Sequence, residues 1–447
     1  MSLGYVLLIF VLGGVALYTV IPDLFLHRLG IGSWKRQFGP GVTLTFDDGP
    51  DPVFTPRILE VLKKYHVCAT FFMVAEKAKR YPELIQQVKD EGHLIGVHSL
   101  NHRYAWFTSP WKTSRDWTES VRILEQLTDN KITWMRPPWG TFNLMTWWWL
   151  KRHKMRAVLW NAEGHDWEAR RSPEEITERI LKGINEGTIV VMHDSGGELG
   201  ARENSILALE RLCEQIVQEL KLPLVPLEFP DWSIWQRVTF RVWEKWEHYY
   251  ARSHRVERID ATNIFRLEKS TYDGPNLYNE DGGLLAEKGD TVAEIHLDNI
   301  RLQAKGRDIR KTALKVMHQT RESLPGLARY VAEDPTYDNI KVFVGQTLLY
   351  RGVKGFGFTV QDLPDTRKGR EIAWLQKMIM RVYHPAGGNR KNDRLGNKTM
   401  LVWISREGLV AGGLPAHKNV VPLDEPLHEP LKDVFQSEQL SIGNVFK

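Results

Sequence analysis

The sequence predicts an α/β fold with a mostly parallel sheet in its first half, a smaller α+β domain in its second, and one N-terminal transmembrane helix. Three observations carry this. Strand-like runs at 42–46, 69–74, 94–97, 156–160 and 188–192 alternate with helical patterns at 55–65, 82–91, 117–127 and 173–186, the order that builds βαβ units. From about residue 262 the rhythm changes, and Gly-rich turns separate short strand-like pieces. Residues 1–22 carry no charged side chain, and Leu3 to Ile21 is almost wholly apolar. About twenty such residues span a bilayer as a helix.

The elements follow in chain order. The apolar start has no basic n-region and no small-x-small site before Pro22, so it reads as an uncleaved anchor over 1–25 rather than a signal peptide. A chain of 447 residues exceeds a single-domain length, and a first domain is expected over 40–228. In the stretch 229–261, Trp232, Trp235, Trp243, Trp246 and Tyr250 recur at helical steps among Arg237, Arg241, Lys245, Arg252, Arg255 and Arg258. Such a helix suits a membrane interface or a connection between domains; aromatic stripes at this spacing usually pack into a core, which favours the connection. The α+β domain over 262–447 contains a half-buried strand at 289–297, a helix at 371–383 and a strand at 400–404. Glu294, His296 and Asp298 alternate on one face of the first of these, which reads as the solvent face of an edge strand. Gly387, Gly388 and Asn389 form a turn.

The chemistry-bearing residues cluster in the first half. The strand-like run Val42 to Phe46 closes on Asp47, Asp48, Gly49 and Pro50. Paired acids at a strand end stand at the mouth of a sheet or barrel, and they repel unless a cation, a proton or a basic partner offsets them. His98 and His102 are spaced four apart, so on a helical turn they share one face and can ligate one metal ion. With a carboxylate they make a two-histidine, one-acid set of the hydrolytic kind. Three further islands follow: Arg136-Pro137-Pro138-Trp139-Gly140, Asp166-Trp167 and Val191-Met192-His193-Asp194. Taken alone, each is ordinary: a surface arginine, a turn with a packed indole, a strand-end histidine.

Together, in this order, these five stretches resemble the motifs of the NodB-type polysaccharide deacetylases, carbohydrate esterase family four. The resemblance covers residues 41 to about 228, with Trp139 in place of a commoner Tyr and Val191 in place of Leu. It implies an incomplete, distorted (β/α) barrel and the hydrolysis of an N-acetyl group on a glycan. It implies one divalent ion on Asp48, His98 and His102, zinc first, with cobalt or another transition metal as alternatives. Asp47 is implied as general base, Arg136 as its partner, His193 as general acid and Asp166 as the counter-ion of His193. Trp139, Trp167 and Pro138 are implied at the substrate, with Trp167 walling the acetyl methyl and the Trp139 N–H facing the oxyanion. The second half resembles a companion domain, of no known activity, found beside some deacetylase modules.

The remaining numbers set limits. A net charge of +5 suits an anionic neighbour such as wall polymer or lipid headgroups, and without a helix-turn-helix or finger pattern it argues against nucleic acid. Cys68 and Cys213 read as core thiols rather than a disulfide framework. Arg28, Lys35 and Arg36 follow the apolar segment and no basic residue precedes it, which by the positive-inside rule directs the bulk of the chain to the cytoplasm. The expected substrate, an acetylated wall glycan such as peptidoglycan N-acetylglucosamine, lies outside. The outward orientation is therefore the expectation, with the protein at the cell membrane. The alternatives are a deacetylase of another acetylated sugar or a small amide, and a scaffold whose barrel has lost catalysis; the retained acids and histidines speak against the scaffold.

Overall fold

A computed structural model describes residues 2–39, 41–230, 232, 234–260, 262–279, 281–298, 301, 309–347, 353–363, 370, 374, 378 and 399–411. Most of the helix expected at 371–383, and the turn at Gly387–Asn389, lie outside the described residues.

A long helix, α1 (Leu3–Arg28), opens the chain. The first sheet then contains β1 (Ser33–Trp34), β2 (Val42–Asp47), β3 (Thr70–Met73), β4 (Leu94–Val97), β5 (Trp134–Met135), β6 (Arg156–Val158), β7 (Ala162–Glu163) and β8 (Thr188–His193). Their order is β1-β6-β5-β4-β3-β2-β8-β7, with every pairing parallel. The terminal strands β1 and β7 are not neighbours in this order, so the sheet curls without closing and forms the incomplete (β/α) barrel. Strands β2, β3 and β8 are buried along almost their whole length, because a parallel sheet is covered on both faces.

Helices α2 (Phe54–Lys64), α3 (Ala75–Arg80), α4 (Pro82–Asp90), α5 (Pro110–Thr128), α6 (Leu144–His153), α7 (Pro173–Gly183) and α8 (Ala201–Glu214) surround the sheet. Each amphipathic one turns an apolar stripe inward: Ile58, Leu59 and Leu62 from α2, Ile176 and Ile180 from α7. Helix α7 starts on a capping box in which Ser172 and Glu175 satisfy each other's backbone N–H groups. Helix α5 begins earlier than the expected 117, at Pro110, a residue suited to the first turn. On α6 the three consecutive tryptophans divide, with Trp149 in the core and Trp148 exposed. Strand ends at Asp47, Val97, Met135 and His193 all lie on one edge of this sheet.

Helix α9 (Ile234–Ser253) leads to the second half, which adds β9 (Glu257–Arg258), β10 (Phe265–Thr271), β11 (Leu277–Tyr278), β12 (Leu284–Ala286), β13 (Thr291–Leu297), α10 (Ile309–Glu333), β14 (Val342–Thr347), β15 (Thr359–Asp362), β16 (Met400–Ser405) and α11 (Arg406–Val410). Six strands form a mixed sheet in the order β15-β16-β14-β13-β10-β9, and Leu324, Leu327 and Val331 of α10 pack in its core. Strand β13 pairs with both β10 and β14. It is interior, which corrects the edge-strand expectation: its polar residues meet a neighbouring strand's side chains rather than only water.

One face of α9 packs on the barrel, where Phe240 and Trp243 meet Phe38 and Trp232 and the Arg237 guanidinium lies 4.0 Å from the centre of the Trp34 ring. Its last turns reach the second sheet through Glu247 to Arg266 and Tyr250 against His296.

Candidate active site

Strand β2 carries its alternation into the site. Thr45 and Asp47 fall on the same side of the strand, and the buried Arg136 guanidinium donates to both, at 2.8 Å and 2.7 Å. Its other nitrogens donate to the carbonyls of Val158 and Leu159, and Phe72 lies against it at 4.2 Å. Burial works against the charged guanidinium, while Asp47 supports it; an arginine keeps its proton in such a place. Asp47 is thereby fixed in orientation.

Asp48 turns away from its neighbour because its backbone sits at φ 76°. Its Oδ1 lies 3.2 Å from His98 Nε2 and 2.9 Å from His102 Nε2. His98 Nδ1 lies 2.7 Å from the Arg136 carbonyl oxygen, which can only accept, so Nδ1 donates and Nε2 of the neutral ring keeps its lone pair. Asp48 Oδ1 is buried with no hydrogen-bond donor assigned to it. Electron pairs from three ligand atoms within 4.8 Å of one another therefore converge, an arrangement that repels itself unless a cation fills it. The donor set fits a divalent metal.

The two histidines meet differently from the sequence expectation. Residues 98–102 follow β4 as a loop, not a helical turn. Ser99 at φ 66° and His102 at φ 50° reverse the chain, and Ser99 Oγ accepts the His102 N–H at 2.8 Å. With Trp139 at φ 54°, four non-glycine residues around this site occupy the left-handed region. Each costs on the order of 1–3 kcal/mol, and such strain concentrates at functional sites.

His193 ends β8 opposite Asp47 in the register. Its Nδ1 lies 2.8 Å from Asp166 Oδ1, and its backbone N–H donates to Asp166 Oδ2 at 2.9 Å. Burial opposes the imidazolium, but Asp166, then Asp48 and Asp47, outweigh it and hold the His193 pKa at about 9. Burial likewise opposes ionisation of Asp166, while His193 and Arg202 keep it at about 2.

Arg202 and Ser205, both from α8, complete this cluster by donating to Asp166. No sequence motif marks them; their only signal is polarity on the inner face of a helix. Asp194 follows His193 in the last of the five stretches. It is buried beside Asp48, accepts from Thr55 at 2.6 Å, and burial pushes its carboxyl up to about 7.

The remaining expected residues form the rim. Trp139 is half exposed, 4.3 Å from the His102 ring and 5.3 Å from Tyr104. Pro138 is buried beneath it. Gly140, at φ 67°, leaves room for His27, whose Cε1 would stand 3.2 Å from any Cβ there. Trp167 meets the His193 ring edge-on at 5.3 Å.

In the second half, Glu268, Glu294 and His296 form another cluster of metal-ligand type. Asp298, expected with them, instead pairs with Arg266, Arg258 and Arg301.

Comparison with known proteins follows the two halves. A family model described as polysaccharide deacetylase matches residues 36–158, and one described as the YkoP domain matches residues 236–412. A peptidoglycan-N-acetylglucosamine deacetylase of Bacillus cereus is 34% identical over 180 residues, 40% of this chain and 82% of that protein. A chitooligosaccharide deacetylase of Sinorhizobium fredii is 30% identical over 181 residues, 39% of this chain and 84% of that protein. The peptidoglycan-N-acetylmuramic acid deacetylase PdaC of Bacillus subtilis is 32% identical over 153 residues; the match spans 34% of this chain and 32% of PdaC. A crystal structure of a peptidoglycan N-acetylglucosamine deacetylase aligns with 28% identity and a TM-score of 0.41, covering 44% of this chain and 91% of that one. With its parallel half-barrel and five motif stretches, this chain belongs to the polysaccharide deacetylase family, carbohydrate esterase family four.

Proposed function

We propose that this protein is a metal-dependent N-deacetylase of acetylated cell-wall glycan, acting on peptidoglycan N-acetylglucosamine. The observation that carries the reading is the convergence of Asp48, His98 and His102 between two opposed polar pairs, Asp47–Arg136 and Asp166–His193. The names of the relatives, which include deacetylases of peptidoglycan and of chitooligosaccharides, support the substrate class.

Asp48, His98 and His102 would hold one divalent ion, zinc first among the candidates, whose bound chemistry is to polarise the amide carbonyl and acidify a water. Asp47 takes the proton of the attacking water as its oxygen bonds the acetyl carbon. Arg136 keeps that carboxylate aimed, and orientation counts for more here than basicity. His193, protonated by virtue of Asp166, donates to the glucosamine nitrogen as the C–N bond breaks. The products are acetate and a free amine. Trp167 and Trp139 flank the two sides of this path, with Pro138 under the second; the Trp139 N–H serves the developing oxyanion.

The domain assignment we favour is an anchor over 1–25, the catalytic barrel over 40–228, a connecting helix region over 229–261 and the companion domain over 262–447. The anchor is read as uncleaved because Leu26 belongs to the barrel core and the buried Asp23 carboxylate accepts the Phe142 N–H. A leader that is removed would not supply core contacts. The catalytic half then lies on the outer side of the cell membrane, where wall glycan is found.

The test is acetate release from peptidoglycan and chitin oligomers, with zinc, with a chelator and with Asp48→Ala. Acetate that depends on metal and on Asp48 supports the reading. Bound metal without acetate from any glycan would direct attention to a small amide, and neither metal nor acetate would leave a scaffold.

A further inference from the structure

The apolar helix α1 is too short to cross a bilayer without bringing the barrel to its surface. Residues 3–17 stand mostly exposed, clear of the barrel; at about 1.5 Å per residue they reach roughly 22 Å. A bilayer core is about 30 Å thick. The missing length falls on the next two turns, where the helix is already docked. There Tyr18 Oη donates to the Thr108 carbonyl at 2.8 Å and Phe25 stacks on Trp147 of α6. On its other side the same stretch keeps Val20, Ile21 and Leu24 exposed. Lipid contact on the outside and barrel contact on the inside therefore occur at the same height.

The barrel surface at that height carries the matching side chains. The short turn Ala105–Phe107 and helix α6 both pack against the helix segment Ala16–Val20. Beside them Phe107 is 88% exposed and Trp111 is 83% exposed, so neither is covered by the packing among the described residues. Trp148 is exposed on α6, with the Arg152 guanidinium 5.7 Å from its ring, and Lys151 lies over Trp147 at 4.4 Å. Aromatic side chains edged by lysine and arginine are the composition of a membrane–water interface, and the basic groups suit anionic headgroups.

We infer that the 105–111 stretch, which runs into the first turn of α5, and the exposed face of α6 are seated in the membrane interface, continuous with the anchor helix. A chain of rings joins this surface to the candidate site: Phe107 to Tyr104 at 5.5 Å, Tyr104 to Trp139 at 5.3 Å, Trp139 to His102 at 4.3 Å. The site is thus held at headgroup level, and its substrate is an acetylated glycan borne by the same membrane. This rests on the reading of α1 as a membrane anchor.

The test uses the full chain in vesicles of phosphatidylcholine and phosphatidylglycerol, with Cys68→Ser and Cys213→Ala as background. Nitroxide labels are placed by Leu12→Cys, Phe107→Cys, Trp111→Cys and, on α8 as an aqueous reference, Leu207→Cys. Expected are a label at 12 inside the bilayer and labels at 107 and 111 shielded from a water-soluble relaxant severalfold relative to 207. A label at 12 inside, with 107 and 111 as open to water as 207, overturns the seating and leaves the anchor standing. A label at 12 open to water removes the anchor, and the inference with it. In a second arm, the Phe107→Ser, Trp111→Ser double variant should lose about tenfold in acetate release from an N-acetylglucosaminyl lipid in those vesicles, the factor that 1.4 kcal/mol represents. Its rate on soluble chitin oligomer should hold. Equal loss on both substrates overturns the membrane-borne substrate.

Discussion

Two clusters of the same composition class stand in the two halves of this molecule, and they differ in where their protons lie. Asp48, His98 and His102 occupy loops at one edge of the barrel sheet; Glu268, Glu294 and His296 occupy regular strands of the second sheet. In the barrel, the Arg136 carbonyl takes the His98 Nδ1 proton and leaves Nε2 bare toward Asp48. In the second sheet, His296 Nε2 itself lies 2.9 Å from a Glu268 oxygen, and Ser270 Oγ donates to Glu294 at 2.8 Å. The His296–Glu268 contact has hydrogen-bond alignment, which neither imidazole has toward Asp48 Oδ1; a carboxylate oxygen can only accept, so His296 spends its Nε2–H inside the cluster and has no lone pair to give there. Glu268 and Glu294 face each other across the ladder, and His296 with Ser270 relieves their repulsion. Ligand-type residues within reach do not by themselves make a metal site. The barrel cluster adds convergent ligand atoms on which no donor among the described residues is aligned, and this is what the proposed metal site rests on.

The sharpest way to break this comparison is to remove one histidine from each cluster. His98→Ala should abolish bound metal and lower kcat/KM by roughly a thousandfold, the several kcal/mol a metal supplies to the transition state. Metal analysis and acetate release measure both, and retained metal at full activity would refute the assignment.

The next effect is on stability, and it compares two buried arginines. Arg136→Met leaves Asp47 buried without its partner, at a cost of roughly 3–5 kcal/mol. Arg266→Met leaves Asp298 with Arg258 and Arg301 still beside it, so roughly 1.5–3 kcal/mol is expected. Urea unfolding followed in each half tests the order, and equal losses would remove the distinction.

Asp166→Asn produces a smaller change, read in the pH profile. In the proposed mechanism His193 must be protonated to act, and its pKa of about 9 depends on Asp166 against the opposing effect of burial. Without that counter-ion the pKa falls, and the alkaline limb of kcat/KM moves to lower pH by roughly one unit or more. A limb that stays in place would mean that another group sets it.

The smallest expected effect belongs to the second cluster. His296→Ala should leave metal content and acetate release unchanged within error. Loss of a second metal equivalent in that variant would show that the two clusters are alike after all.

Much of the barrel was legible because its signals are local. The buried strands at 42–46 and 188–192 are runs of β-branched and apolar residues, and each ends on the polar residue that the site uses. The short strands β5 and β7 were not legible, since two residues carry no periodicity and pair only because their neighbours are in place. Arg202 was missed for a related reason: one arginine on an inner helix face has no pattern until Asp166 arrives opposite it. The spacing of His98 and His102 was read on the wrong backbone. Four residues apart suits a helix, but Ser99 and His102 in the left-handed region bring the rings to 5.1 Å from a loop.

What the sequence determined alone is the order of the longer strands and helices, the apolar helix, and the identity of the acids, histidines and arginine of the candidate site. Periodicity and residue type are properties of short segments, so they survive without the fold. The tertiary structure decided which of these groups meet, which nitrogen of His98 keeps its lone pair, and that α1 ends inside the barrel core beside the site. Those are relations between segments distant in the chain. They follow from hydrogen-bond partners and packing that exist only once the parallel sheet has curled and the helix has docked.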